Sequence, residues 1–265
     1  LTTSTGLTHL EAGLRRDRAI LIAGLGGVTL TAWVYLVYHF LQMRSVGAMD
    51  LATDMAMPLM QSWGGVELIL LWIMWAVMMV AMMVPSVAPL ILMFARANRE
   101  RVNGPALGSA TLLLLGYLLV WTSFSGIAAL AQWLLHGAAL LSTTMVITSS
   151  AIGGVLLVCA GVFQFTPFKR ACLVHCRSPM SFLMTDWRGG RWGTLVMGLK
   201  HGAYCVGCCW ILMSLLLVVG VMNLLWVAAI AGFVLLEKAA ARGEALGRVV
   251  GASLITVGIV LIVRQ

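Results

Sequence analysis

The segment "KHGAYCVGCCWILM" (200–213) sets His201, Cys205, Cys208 and Cys209 at i, i+4, i+7 and i+8. On an α-helix that spacing gathers all four side chains on one face. Three thiols and an imidazole form a soft donor set. Thiolate and thioether sulfur select Cu(I) or Zn(II) over hard cations, which want clustered oxygen ligands that this sequence lacks. A lone cysteine such as Cys159 reads instead as a small buried hydrophobe.

Methionine decides between the two soft ions. Met74, Met78 and Met82 form one stripe at i, i+4, i+8, with Met79 and Met83 beside it. Methionine fills irregular helix contacts, so the stripe alone reads as packing. Beside thiols it favours copper, with zinc the alternative, because zinc rarely takes thioether ligands. Pro85 follows directly; it removes a helical hydrogen bond, frees the carbonyl of Ala81 and permits a kink.

Two further groups could join the chemistry. "FKRACLVHCRSP" (168–179) carries Cys172, His175 and Cys176, a compact Cys-x2-His-Cys. It reads either as a zinc or copper loop or as a reduced, uncoordinated pair beside basic residues. Glu237, followed by Lys238, closes an apolar run. An ionisable group at that depth is by default a site hypothesis. It is either a partner or fellow ligand of His201, or a helix-end charge reaching the interface.

Such a cluster needs helices to position it, and the composition supplies them. Of 265 residues, 61% are hydrophobic and 10% charged, against roughly half and about a quarter in soluble domains. No Lys, Arg, Asp or Glu occurs between Arg101 and Lys169 or between Lys200 and Glu237, and each gap has room for two spans of about 20 residues. The apolar runs are continuous, without the alternation of a membrane β-barrel. The sequence therefore predicts an all-α polytopic bundle of about seven transmembrane helices, near 19–41, 66–94, 107–135, 144–166, 199–219, 221–239 and 246–263. The first run follows Arg15, Arg16 and Arg18, lacks a small-residue cleavage site and reads as a retained anchor.

Orientation follows from the basic residues. With the N-terminus inside, 15 of the 17 Lys and Arg fall in cytoplasmic segments, and only Arg44 and Arg264 do not. Residues 1–18 are then a cytoplasmic segment and 19–265 one transmembrane domain. A basic cytoplasmic loop is expected at about 168–198, and the 136–143 turn outside. The net charge of +8 meets anionic headgroups and implies no nucleic-acid partner. Gly198 with Gly202, and Gly153 with Gly154, are small residues that let helices approach closely. Trp33, Trp63, Trp133, Trp187 and Trp192 are expected near headgroup level.

Depth along the helices aligns the donors. Cys205 lies sixteen residues before a turn near Val221 and Glu237 sixteen after it, so the two are level. Met82 and Met83 fall at the height of Cys205, and Met78 and Met79 near Cys208 and Cys209. Whether spans two and five are neighbours stays open at this stage.

The blocks "AMMVPSVAP" (81–89), "KRACLVHCRSP" (169–179), "HGAYCVGCCWILM" (201–213) and "GVMNLLWVAAIAGFVLLEK" (220–238) resemble a bacterial family of predicted metal-binding integral membrane proteins. The likeness covers roughly residues 65–240. It implies membrane and metal, and assigns no substrate or reaction.

Three functions follow from this reading. The first is a multi-pass protein of the bacterial cytoplasmic membrane that acquires, stores or delivers copper, including as an accessory subunit of a cuproenzyme. The second is a membrane thiol-disulfide oxidoreductase using the C-x-x-C at Cys205 and Cys208. The third is a copper-dependent membrane oxidase or monooxygenase. A primary pump within this chain is excluded, since it has no phosphate-binding loop.

Overall fold

The computed structural model describes residues 2–52, 64–102, 106–138, 149–221 and 223–264. Among them every regular element is helical: α1 (Thr2–Ala52), α2 (Gly65–Val102), α3 (Ala106–Gly137), α4 (Ser150–Phe163), α5 (Pro167–Arg177), α6 (Pro179–Thr185), α7 (Gly190–Ser214), the single turn α8 (Leu216–Val219), α9 (Leu224–Ala239) and α10 (Gly243–Val263). Trp63 and most of the 136–143 turn lie outside the described residues.

Each of the seven apolar runs contains helix, but not every helix has membrane length. Among the described residues five are long and apolar enough to cross a bilayer, Arg15–Gln42, Gly65–Arg99, Leu107–Gly137, Gly190–Val219 and Gly243–Val263, and a sixth if α4 and α5 count as one broken span. The run expected at 144–166 bends by 63° at its end. The reason is local: Pro167 has no N–H for the carbonyl of Phe163. That carbonyl accepts instead from the Thr166 backbone at 3.1 Å and the Thr166 hydroxyl at 2.8 Å. The same hydroxyl oxygen then caps α5 by accepting from the Lys169 N–H at 3.3 Å. α9 has 16 residues, about 24 Å of helix against a hydrocarbon core of about 30 Å.

The basic segment expected as a loop at 168–198 is largely helical. It folds as α5, α6 and the first turns of α7, with Pro167 and Pro179 at the starts of α5 and α6.

Packing is set by small residues. α3 runs along both α2 and α7, and α10 along α4. At Gly161 an added Cβ would stand 2.6 Å from the carbonyl of Gly251, and at Gly258 it would stand 2.7 Å from that of Gly154, so α4 and α10 meet backbone to backbone. In α2 the carbonyl that Pro85 frees is satisfied from outside: the indole N–H of Trp33 on α1 donates to Ala81 O at 3.2 Å. Trp33 is thus tied to the proline break. Trp192, in contrast, is 81% exposed.

Candidate metal centre

The stripe on α7 forms as its periodicity requires, with His201, Cys205, Cys208 and Cys209 all buried. Gly198 and Gly202 share the same stripe and face α3. A Cβ at Gly202 would stand 3.0 Å from Val120 Cβ and 3.2 Å from the carbonyl of Tyr117, and one at Gly198 would collide with the carbonyl of Leu113. This close approach delivers Tyr117 to the thiols. Its hydroxyl lies 3.0 Å from Cys205 Sγ and donates to the carbonyl of Met83 on α2 at 3.3 Å.

α9 reaches the same sulfur. Lys238 Nζ donates to Cys205 Sγ at 2.9 Å and to Ser86 Oγ at 3.2 Å. The Ser86 hydroxyl donates in turn to Met83 O at 2.9 Å, so α2, α3, α7 and α9 converge on Cys205. Met78, Met79, Met82 and Met83 are all buried on α2. The height expected from the sequence is kept, since one tyrosine hydroxyl spans Met83 O and Cys205 Sγ. α3 packs along both helices and bridges them.

The two cysteine groups that the sequence separates into a span and a loop are packed together. Cys172 and Cys176, one turn apart on α5, form part of its buried face. Cys176 Sγ lies 3.9 Å from Cys208 Sγ. Cys172 lies against Gly207, where an added Cβ would stand 2.9 Å from its sulfur. The glycine inside Cys205-Val206-Gly207-Cys208 therefore makes room for a cysteine of another helix. Both sulfurs of that C-x-x-C are within reach of Cys176, and Cys205 is approached in addition by Tyr117 and Lys238. The thiols of Cys208 and Cys209 also donate to the carbonyl of Cys205, at 3.1 and 2.8 Å.

His175 stands apart. Its Nδ1 pairs with the carbonyl of Ala171 at 2.9 Å, and its ring stacks on Tyr204 with centroids 4.2 Å apart. His201 lies deeper, between Tyr117 and Phe182 at 6.0 and 5.0 Å between centroids. Its buried Nδ1 has no hydrogen-bond partner among the described residues. Glu237 does not supply one. Its carboxylate accepts from Lys169 Nζ at 2.5 Å, and the same ammonium donates to Gln164 Oε1. Gly247 on α10 leaves the space that carboxylate occupies, since a Cβ there would strike it.

Among the described residues no three His, Cys, Asp or Glu side chains are grouped closely enough to enclose an ion. What the site offers is a sulfur layer: a thiol pair between α5 and α7, two more thiols on α7, and a methionine face on α2. Sequence reasoning missed Tyr117, Lys169 and Gln164, and gave Lys238 no role beyond its place after Glu237. The available signals were faint. Tyr117 is the single tyrosine of its span, Lys169 ends one long charge-free run, and Lys238 follows Glu237, which ends another.

Compared with known proteins, residues 72–261 match the family model PpoB2, described as copper chaperone. Every residue singled out above as a possible ligand falls within that stretch. No curated protein and no solved structure matches the chain.

Proposed function

We propose, from the premise that this chain belongs to the PpoB2 copper-chaperone family, that it is a multi-pass protein of a bacterial cytoplasmic membrane which takes up Cu(I) in its sulfur layer and delivers it to a cuproenzyme partner. Copper is here the cargo. The membrane location is supported by five helices of spanning length and by outward faces rich in apolar side chains, such as Leu30, Leu70, Ile127 and Val249, which water would penalise.

The observation that carries the copper reading is the 3.9 Å between Cys176 Sγ and Cys208 Sγ. An ion about 2.3 Å from each of two thiolates joins sulfurs no more than about 4.6 Å apart, so this pair can share one ion without moving either helix. Softness selects Cu(I) for it. Cys205, Cys209, Cys172 and His201, whose Nδ1 has no partner among the described residues, are the further ligands proposed. Met78, Met79, Met82 and Met83 are thioether donors along an exit path on α2. Glu237 acts at one remove, by holding α5 and its two cysteines against the rest of the site through Lys169.

Titration of the purified protein with Cu(I) under reducing conditions, against a competing chelator, tests this reading. Cys176→Ser combined with Cys208→Ser is expected to weaken binding by about tenfold or more, a loss at least as large as that for a supporting residue. Cys159, an exposed free thiol on α4, is the control, and Cys159→Ser is expected to bind as wild type does. Equal retention in the double variant and the control sinks the assignment.

A further inference from the structure

The indole N–H groups of Trp33, Trp72 and Trp75 all find acceptors, at Ala81 O, Thr122 O and Gln132 Oε1, with distances of 3.2, 3.0 and 2.7 Å. That of Trp121 on α3 does not. The residue is 1% exposed, and its N–H has no hydrogen-bond partner among the described residues. Folds rarely leave a buried donor unanswered, and those that remain call for an explanation. We propose that Trp121 belongs to the copper site, its indole face holding Cu(I) by a cation–π contact at a point where Cys209 and Met79 supply the sulfur.

The helices fix its place. α3 and α7 run parallel, since an added Cβ at Gly198 would meet Leu113 and Gly116, and one at Gly202 would meet Tyr117 and Val120. α2 runs antiparallel to α3, with Trp75 on Gln132, Met83 on Tyr117 and Asn98 on Ser109. The three helices meet at the Tyr117 hydroxyl, which reaches both Cys205 Sγ and Met83 O. One turn further in a common direction, i+4 on α3 and α7 and i−4 on α2, stand Trp121, Cys209 and Met79. Residues four apart share a helix face and are about 6 Å apart along the axis, so these three lie level with one another. Met79 also falls one turn from Trp75 and from Met83, both of which bond to α3. All three side chains are buried, at 1%, 0% and 0% exposure. Phe124 packs edge to face on the Trp121 ring, with centroids 5.6 Å apart, which fixes the plane of the indole.

The chemistry suits a cargo. Cys209 and Met79 together offer one thiolate and one thioether, and two soft donors leave a Cu(I) ion open on one side. Tryptophan has the best π face for a cation within about 6 Å of its ring, and exclusion of water strengthens the attraction. A π face steadies an ion without adding a ligand bond that delivery would have to break. This inference rests on the copper reading and deepens it, by setting a step of the exit path one turn beyond Cys205.

The test uses the full-length protein in detergent under reducing conditions, with Cu(I) as the probe and two readouts, affinity by chelator competition and tryptophan emission. Trp121→Leu is expected to weaken Cu(I) binding about 5- to 30-fold, the range of a desolvated cation–π contact, and Trp121→Phe, which keeps a weaker π face, by less. One equivalent of Cu(I) should change the emission of wild type and of Trp192→Phe, which alters an exposed ring, and that change should be largely lost in Trp121→Phe. A ring that serves packing alone would lower thermal stability and leave both readouts as they are. Affinity within about twofold of wild type in both Trp121 variants, or an emission change that survives Trp121→Phe, overturns the proposal. Should the Trp121 variants fail to fold, Met79→Leu, a volume-conserving change that leaves the ring in place, is expected to reduce the emission change, and an unaltered change overturns the proposal. The copper reading fails separately, through equal Cu(I) retention in Cys176→Ser/Cys208→Ser and in Cys159→Ser.

Discussion

Lys169 and Lys238 are both buried, 2% and 9% exposed, and both cross to another helix, yet the fold answers their charges differently. Lys169 meets a carboxylate, Glu237, at 2.5 Å and donates as well to Gln164. Lys238 meets a sulfur, Cys205, at 2.9 Å, and a hydroxyl, Ser86, at 3.2 Å. No carboxylate among the described residues pairs with it. The first arrangement is closed in charge, because the carboxylate answers the cation directly, and only the Gln164 amide nitrogen is left without a partner among the described residues. The second is open, because its acceptor is a soft sulfur that can exchange a hydrogen bond for a metal bond. The two lysines teach how architecture and site differ when both bury charge: they are told apart by the partner.

The largest effect should come from breaking the closed pair. Lys169→Met leaves the Glu237 carboxylate buried without a counter-charge, which costs about 3–5 kcal/mol. Replacing both partners, Lys169→Met with Glu237→Leu, should recover most of that loss, because an apolar pair of similar volume is often neutral. Unfolding in detergent, by heat or by denaturant, reads both. A double variant no more stable than the single would show that the pair is not closed, and the contrast with Lys238 would lose one side.

Lys238 should register in copper affinity. A group that holds a metal ligand by hydrogen bond typically contributes about 10- to 100-fold in affinity, so Lys238→Leu is expected to weaken Cu(I) binding by that factor in a chelator competition. The Lys169→Met/Glu237→Leu variant, in which an apolar pair of similar volume takes over the holding of α5, should bind copper within about twofold of wild type. If the two variants lose affinity equally, sulfur and carboxylate partners are equivalent and the comparison fails.

How much of this the chain discloses in advance depends on which coordinate is asked for. Helical periodicity gave the α7 stripe outright, because one helix carries all four residues. Counting from the turn near Val221 gave heights, and those heights are kept, since the α9 residue that touches Cys205 is Lys238, next to Glu237. Height is not direction. Adjacent helical residues point about 100° apart, so Glu237 faces α5 and Lys238 faces α7, and no count along the chain tells which of the pair meets the thiols. Cys172 and Cys176 were legible as a motif but not as part of the same layer. The 63° bend that folds α5 back against α7 starts from Thr166 and Pro167, which are visible in the sequence, while its direction is set by packing on Gly207 and by the Lys169–Glu237 pair. The number of spans suffered likewise, because α4 ends at that proline and α9 is a short helix between Gly220, at φ 94°, and Ala240.

The smallest effect tests the edge of the comparison. His175 is on α5 between Cys172 and Cys176, and the motif offers it as one candidate ligand. The structure instead places it outside both polar centres, with Nδ1 on the Ala171 carbonyl and its ring stacked on Tyr204. If partner rather than motif marks the site, His175→Ala removes a stacked aromatic pair worth about 0.5–1.5 kcal/mol and leaves Cu(I) affinity within about twofold of wild type. His175→Phe keeps the stack while abolishing any ring-nitrogen ligand, so it should restore stability and bind as wild type does. A tenfold loss of copper in both variants would make His175 a ligand after all. The layer would then extend along α5 to its rim, and the line drawn between the α5 thiols and the rest of their motif would have to move.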